Sequence, residues 1–224
     1  MPLLDDTYDT SFLRGPISSL FLTNSLSNFI SDGAYSLAKT KEYDTIINTT
    51  KKIHDVSFMP YLRTNQLIDW EKICKNAGVN YISPHPTDGI ENKLIEIASS
   101  KKIITEAMHG AILADIFRIP WTKLQFVSDL FETGSVNETK WQDWSRSIKT
   151  SYKTTRTCTV PHKISTLPKL YKAYISFNKS TLSKKIETTI SDLKETNSNF
   201  SLSDDSTFNK IVNRIGEKID LYNS

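Results

Sequence analysis

KKIITEAMHGAILADIFRIP, residues 101–120, changes its hydrophobic period halfway along, and that change decides the fold. Ile103 and Ile104 are β-branched and follow two lysines, so Lys101–Thr105 reads as a short buried strand. From Ala107 to Ile119 the period lengthens: Met108, Ile112, Leu113, Ile116 and Phe117 recur at helical spacing and face a core. His109-Gly110 therefore stands where a strand ends and a helix begins. The first turn of a helix leaves backbone N–H groups unpaired and carries partial positive charge, which suits a phosphate or carboxylate. In open α/β sheets ligands gather at the carboxyl ends of the strands. His109 reads equally well as a turn residue bonded to a carbonyl, and Gly110 is common at such turns for backbone reasons alone.

Working outward, the same alternation repeats. Asp69 opens a helix with Trp70, Ile73, Cys74 and Ala77 at i, i+3, i+4 and i+7, and Gly78 stops it. Val79–Ser83 reads as the next strand. Asp88 and Glu91 form a capping-box pattern ahead of Ile90, Leu94, Ile97 and Ala98. Upstream, Asp44–Asn48 and Ile53–Met59 read as strands, and Pro16 suits the first turn of a short helix through Ile17, Leu20 and Phe21. Phe29-Ile30 reads as a strand end running into the turn Ser31-Asp32-Gly33. Downstream, Trp121–Val127 reads as a strand and Lys140 to Lys149 as a helix. Residues 150–165 look irregular, Leu170 to Asn197 reads as one or two helices, and Phe208, Ile211, Val212, Ile215 and Ile219 form a last amphipathic helix. Strands alternating with helices of about ten residues predict βαβ units, hence an α/β, Rossmann-like, doubly wound parallel sheet with a helical C-terminal extension. The tail from about residue 176, rich in Ser, Thr, Lys and Asn, carries an expectation of partial mobility.

Composition narrows the function classes. The chain has 224 residues, formal net charge +3 and 38% hydrophobic residues. So mild a charge gives no nucleic-acid footprint. No apolar run approaches a membrane span, and MPLLDDTYDT carries acids where a secretory leader has basic residues. Cys74 and Cys158 stand alone, and His54, His85 and His162 are scattered singly, so no metal cluster is expected. The default location is the cytoplasm.

Several ordered pieces resemble one family, the polysaccharide pyruvyltransferases, especially the branch acting in bacterial exopolysaccharide synthesis. They are FLRGPISS (12–19), ISDGAYSL (30–37), VSFMPY (56–61), DWEKICKNAGVNYISP (69–84), ENKLIEIASSKKIITEAMHGAILADIFRIPW (91–121), in which TEAMHGAILAD followed by IPW is the most specific part, and NETKWQDWSRSI (137–148). The resemblance implies a GT-B-like two-domain fold and transfer of pyruvyl from phosphoenolpyruvate to sugar hydroxyls as a ketal, without a further cofactor. Arg14 falls on the family's RGP arginine and His109 on its histidine before glycine. Tyr61 follows Pro60 where the family often has histidine, and Ala107 stands where some members have arginine. Only a handful of residues precede Arg14. The expected division is therefore a remnant of the first domain and linker over 1–38, a Rossmann-like domain over 39–150 and the helical extension over 151–224, with weak activity for this chain alone.

The implied chemistry assigns expectations. Arg14 can grip a phosphate or carboxylate bidentately. The helix start at His109-Gly110 supplies N–H donors, and His109 protonates or stabilises the leaving phosphate. Glu106 is a candidate proton donor or base, or equally a favourable acid near a helix start. Arg63 is a candidate anion contact replacing the absent histidine. Asp32 touches a sugar hydroxyl or caps its turn, and Trp141 and Trp144 stack on an acceptor sugar or anchor the core. The expected acceptor is a glycan or lipid-linked oligosaccharide, with a partner subunit or second copy left open and attachment to the inner membrane face as a further expectation. Two other readings stay open: a GT-B glycosyltransferase using a nucleotide sugar, and a non-catalytic remnant that depends on a partner.

Overall fold

The computed structural model describes residues 12–26, 28–126, 134–158 and 168–223; Val127 and His162, both named above, lie outside these. In chain order the elements are α1 (Pro16–Thr23), a 3-10 helix (Gly33–Lys39), α2 (Lys41–Thr49), β1 (Ser57–Met59), α3 (Trp70–Ala77), β2 (Asn80–Tyr81), α4 (Ile90–Ala98), β3 (Ile103–Thr105) and α5 (Met108–Ile116). They continue with β4 (Trp121–Gln125), α6 (Gly134–Ser147), β5 (Thr154–Arg156), α7 (Pro168–Phe177), α8 (Lys179–Glu195), a 3-10 turn (Asn197–Asn199) and α9 (Asp205–Asn223).

The five strands form one parallel sheet in the order β2-β1-β3-β4-β5. That is a doubly wound order, and it reverses between β1 and β3. Strand residues alternate between two cores, as the period of two demands. Met59, Ile103 and Trp121 face one core, shared with α2, α4, α5, α6 and α9. Phe58, Ile104, Leu124 and Phe126 face the other, shared with α3, α7 and α8. Leu182, Ile186, Ile190 and Leu193 of α8 are buried in the second core, and Phe208, Ile211, Val212 and Ile215 of α9 in the first. The chain's last helices thus close both faces of the sheet.

Four local expectations are corrected. Asp44–Asn48 is helical, part of α2, because the Thr40 hydroxyl accepts from Tyr43 N at 3.2 Å as an N-cap. Tyr43 and Ile46 then face the core at i, i+3, while Ile47 stays exposed. The expected strand Ile53–Met59 pairs within the sheet only over Ser57–Met59, since the Ile53 and His54 amides both donate to Ser99 O ahead of β3. The Asp88–Glu91 capping box does not form: α4 begins at Ile90 with Gly89 at φ 93° as its N-cap and no side-chain bond. Residues 150–165 include β5, a short polar edge strand, the kind of edge that sheets blunt against further pairing. Leu20 and Phe21 of α1 are exposed.

Candidate active site

The reversal of strand order makes a crevice between the C-terminal ends of β1 and β3, and the His109 turn sits in it. The Thr105 hydroxyl lies 3.1 Å from Met59 O and 2.9 Å from Ala107 O, and it accepts from Ala107 N at 3.0 Å. The Glu106 amide donates to Met59 O at 3.0 Å. These bonds turn the chain sharply from strand into helix. α5 starts with no side-chain cap, and its first paired amide is that of Gly110, donating to Ala107 O at 3.0 Å. Among the described residues the Met108 and His109 amides have no hydrogen-bond partner, which leaves them as donors at the helix start. His109 is exposed and lines a cavity of about 250 Å3 together with Tyr61, Ala107, Asn137, Lys140 and Trp141.

Gly110 is held by packing. A Cβ there would lie 2.5 Å from Thr105 Oγ1 and 3.0 Å from Met59 Sδ, so only glycine lets α5 approach both strand ends. Glu106 is buried, and among the described residues its carboxylate accepts from Tyr61 N at 3.0 Å, from Phe126 N at 3.0 Å and from the Thr64 hydroxyl. It braces the ends of β1, β3 and β4 around the crevice, while also touching the cavity wall.

α6 forms the opposite wall. Lys123 of β4 is buried, donates to Glu138 Oε2 at 2.9 Å and lies 4.7 Å from the Trp141 ring centre. The Tyr152 hydroxyl donates to the other Glu138 oxygen at 2.7 Å. Burial pushes the Lys123 pKa down despite Glu138. For Glu138, burial pushes upward, but the Tyr152 and Lys123 donors outweigh it and hold the carboxyl below its usual range. Burial and Glu138 together raise Tyr152. Trp141 and Trp144 are fully buried and pack with Trp121, so they anchor the core. Cys74 is likewise a core residue, its thiol pushed up to about 12 by burial.

Further along α6, Asp143 reaches α1. Its carboxylate accepts from Ile17 N at 2.8 Å, Ser18 N at 3.2 Å and Ser18 Oγ at 2.5 Å, so an acid from another helix caps α1. Arg14 Nε lies 3.8 Å from the same carboxylate and has no hydrogen-bond partner among the described residues. Gly15 passes so close to the Asp143 backbone that any Cβ would collide with its carbonyl. Arg14, Ile17, Phe21, Leu22, Val136 and Lys140 line a second cavity, of about 450 Å3.

The structure thus brings His109, Gly110 and Glu106 together at one turn and puts Arg14 across α6 from them. Asp32 accepts from Ala34 N at 3.0 Å and caps the 3-10 helix, and it lines neither cavity. Arg63 is exposed on the turn after β1 and also lines neither. Sequence reasoning passed over Lys140, Asn137 and Asp143. The available signal was their spacing within residues 137–143, which puts Asn137 and Lys140 on one helical face and Asp143 one further turn along. Among the described residues no three His, Cys, Asp or Glu side chains converge on a metal-sized site, and no helix is long and apolar enough to cross a membrane.

The chain is similar to the succinoglycan biosynthesis protein ExoV of Rhizobium meliloti (strain 1021), with 32% identity over 149 residues, covering 66% of this chain and 43% of that protein. It therefore spans less than half the length of the curated relative it matches. No protein-family model matches the chain, and neither does any solved structure.

Proposed function

Starting from this similarity to a succinoglycan biosynthesis protein, we propose that the chain belongs to the polysaccharide pyruvyltransferases and serves exopolysaccharide or cell-surface glycan synthesis. The reaction joins pyruvyl from phosphoenolpyruvate to two hydroxyls of one sugar. The observation that carries the proposal is the 32% identity, and the chemistry of the His109 crevice supports it. Phosphoenolpyruvate is a cytoplasmic metabolite, so we assign the reaction to the cytoplasm.

The balance is simple. C3 of the donor gains one proton and becomes a methyl group, and positive charge develops at C2. One sugar hydroxyl adds to C2 and gives up its proton, and the C–O bond to phosphate breaks with its electron pair going to phosphate. The second hydroxyl adds to C2 and gives up its proton, closing the ketal. Of the two protons released, one offsets that taken up at C3 and one leaves with phosphate. The helix-start amides of Met108 and His109 suit the phosphate oxygens, where charge grows as the bond breaks. The exposed His109 imidazole donates the proton that leaves with phosphate. Glu106 acts through its brace, holding the ends of β1, β3 and β4 around the bound donor.

Phosphate release from phosphoenolpyruvate with a galactose- or mannose-containing acceptor, with the ketal methyl read by proton NMR, tests the proposal. His109→Ala should abolish release while leaving the fold intact. Unchanged turnover in that variant would refute the role of His109. Binding of a nucleotide sugar in preference to phosphoenolpyruvate would replace the proposal with a glycosyltransferase.

A further inference from the structure

The two cavities lie on either side of α6, and Lys140 lines both. The smaller, at about 250 Å3, falls below the roughly 300–1,000 Å3 that drug-sized ligands fill, and so fits a small compact anion. Among the described residues Lys140 is the single lysine or arginine on its wall; Arg14 and Arg63 are not there. Its wall also carries Glu106. A ligand bearing both phosphate and carboxylate beside that acid needs a fixed cation as well as helix-start amides.

Lys140 rises from a fixed part of the molecule. Two residues before it, Glu138 is tied to Lys123 and Tyr152. Just beyond it, Trp141 and Trp144 are buried and Asp143 caps α1. Its Cα position is therefore set from three sides, and only its flexible stem is left to adjust. Lys140 is engaged within the chain, so a ligand must exchange that contact for its own charge. The larger cavity, at about 450 Å3, is mostly apolar and carries Arg14.

We propose that Lys140 is the cation that binds the anionic end of the donor in the His109 cavity, and that the acceptor enters from the Arg14 cavity on the other side of the same lysine. This rests on the pyruvyltransferase reading for the identity of the donor, and on the two cavities alone for the division of labour. Arg14 then serves the acceptor side, where the resemblance alone had assigned it to the donor. One lysine bordering both spaces keeps the donor's C2 within reach of an acceptor hydroxyl, which is the proximity that a two-substrate transfer requires.

Trp141 lines the donor cavity, so intrinsic tryptophan fluorescence of the full chain reports binding. Phosphoenolpyruvate and, separately, inorganic phosphate are titrated into the wild type, Lys140→Gln, Lys140→Arg and Arg14→Gln, with near-ultraviolet circular dichroism as the check on folding. Lys140→Gln should weaken phosphoenolpyruvate binding about tenfold or more, the loss of one charge-assisted contact, and Lys140→Arg should restore most of it. Arg14→Gln should leave that affinity within about twofold. Wild-type affinity in a folded Lys140→Gln would overturn the assignment and leave the pyruvyltransferase reading standing. An equal loss in Arg14→Gln would overturn the division into two cavities. Phosphate binding that depends on Lys140, without any preference for phosphoenolpyruvate, would keep the lysine and sink the donor. A wild type that binds neither anion would refute both.

Discussion

Replacing Glu106 by glutamine separates a brace from an acid catalyst. Oε1 accepts from Phe126 N at 3.0 Å, while Oε2 accepts from Tyr61 N at 3.0 Å and from the Thr64 hydroxyl. A glutamine keeps one oxygen and turns the other into an amide nitrogen. The oxygen goes to Phe126, because Thr64 can adapt to the nitrogen: its hydroxyl, 2.9 Å from Tyr61 O, donates there and accepts from the new amide. The Tyr61 amide then loses its carboxylate acceptor. Losing this part-buried bond to a charged group costs about 1.5–3 kcal/mol, and the Phe126 bond loses its charge assistance, about another 1 kcal/mol. Relief from burying a charge offsets part of this. The net expectation is about 2 kcal/mol of lost stability, or a Tm lower by roughly 4–8 °C for a chain of this size. Urea unfolding at 25 °C and a thermal scan measure it, with phosphoenolpyruvate affinity recorded on the same samples. Stability within ~0.5 kcal/mol of wild type together with complete loss of turnover would refute the brace and make Glu106 the proton donor.

Three further outcomes follow from neighbouring contacts. Asp143→Ala removes the acceptor of the Ile17 and Ser18 amides, so about 1–2 kcal/mol of capping should be lost. Limited proteolysis should then cut within residues 12–24 before the sheet unfolds, and a digestion pattern like that of wild type would count against the cap. Gly110→Ala places a methyl 2.5 Å from Thr105 Oγ1, and overpacking of about 1–3 kcal/mol should appear in urea unfolding; an unchanged midpoint would show that α5 can slide away. Glu138 has its carboxyl held below the usual range, so the stability it adds is present above the unfolded value near ~4.5 and is lost as pH falls through the folded one. Glu138→Gln should therefore flatten the acid limb of the stability–pH profile below about pH 4.5, and identical acid limbs would remove the pair from the account.

The parts of the fold that were legible are those whose side chains decide their own environment. The period change at residues 101–120 gave β3 and α5 because Ile103 and Ile104 are both buried, one on each face, while the α5 apolar positions have only one core to reach. Asp69 and Gly78 delimit α3 by local chemistry, a side-chain cap at one end and φ 65° at the other. What misled is equally local. Ile46-Ile47 resembles a strand pair, yet one is buried and the next exposed, and the choice was made by Thr40 and by the core contact of Tyr43, six and three residues before Ile46. β5 is three residues of Thr-Thr-Arg on an edge, where pairing to β4 through Gln125 and Lys123 supplies the structure and no hydrophobic pattern announces it.

The site divides along the same line. His109 was legible because its position follows from a period change within its own segment. Glu106 was found as an acid near a helix start, but its carboxylate accepts from Tyr61, Thr64 and Phe126, on loops and strand ends that meet only when β1, β3 and β4 lie side by side. Asp143 caps a helix 126 residues earlier in the chain, and no local capping rule reaches so far. Lys140 borders two spaces, and a space has no sequence pattern at all. Residues whose roles are set by tertiary neighbours can be proposed from composition, but only the sheet order shows which of them share a crevice. Here that order reverses between β1 and β3. The reversal sets the His109 turn, the Glu106 brace and the Lys140 face of α6 around one cavity, with Arg14 across the helix in the next. Arg14 lies 3.8 Å from Asp143 of α6, and Asp143 lines the larger cavity alone while Lys140 lines both, so Asp143→Ala perturbs the Arg14 side and Lys140→Gln perturbs both.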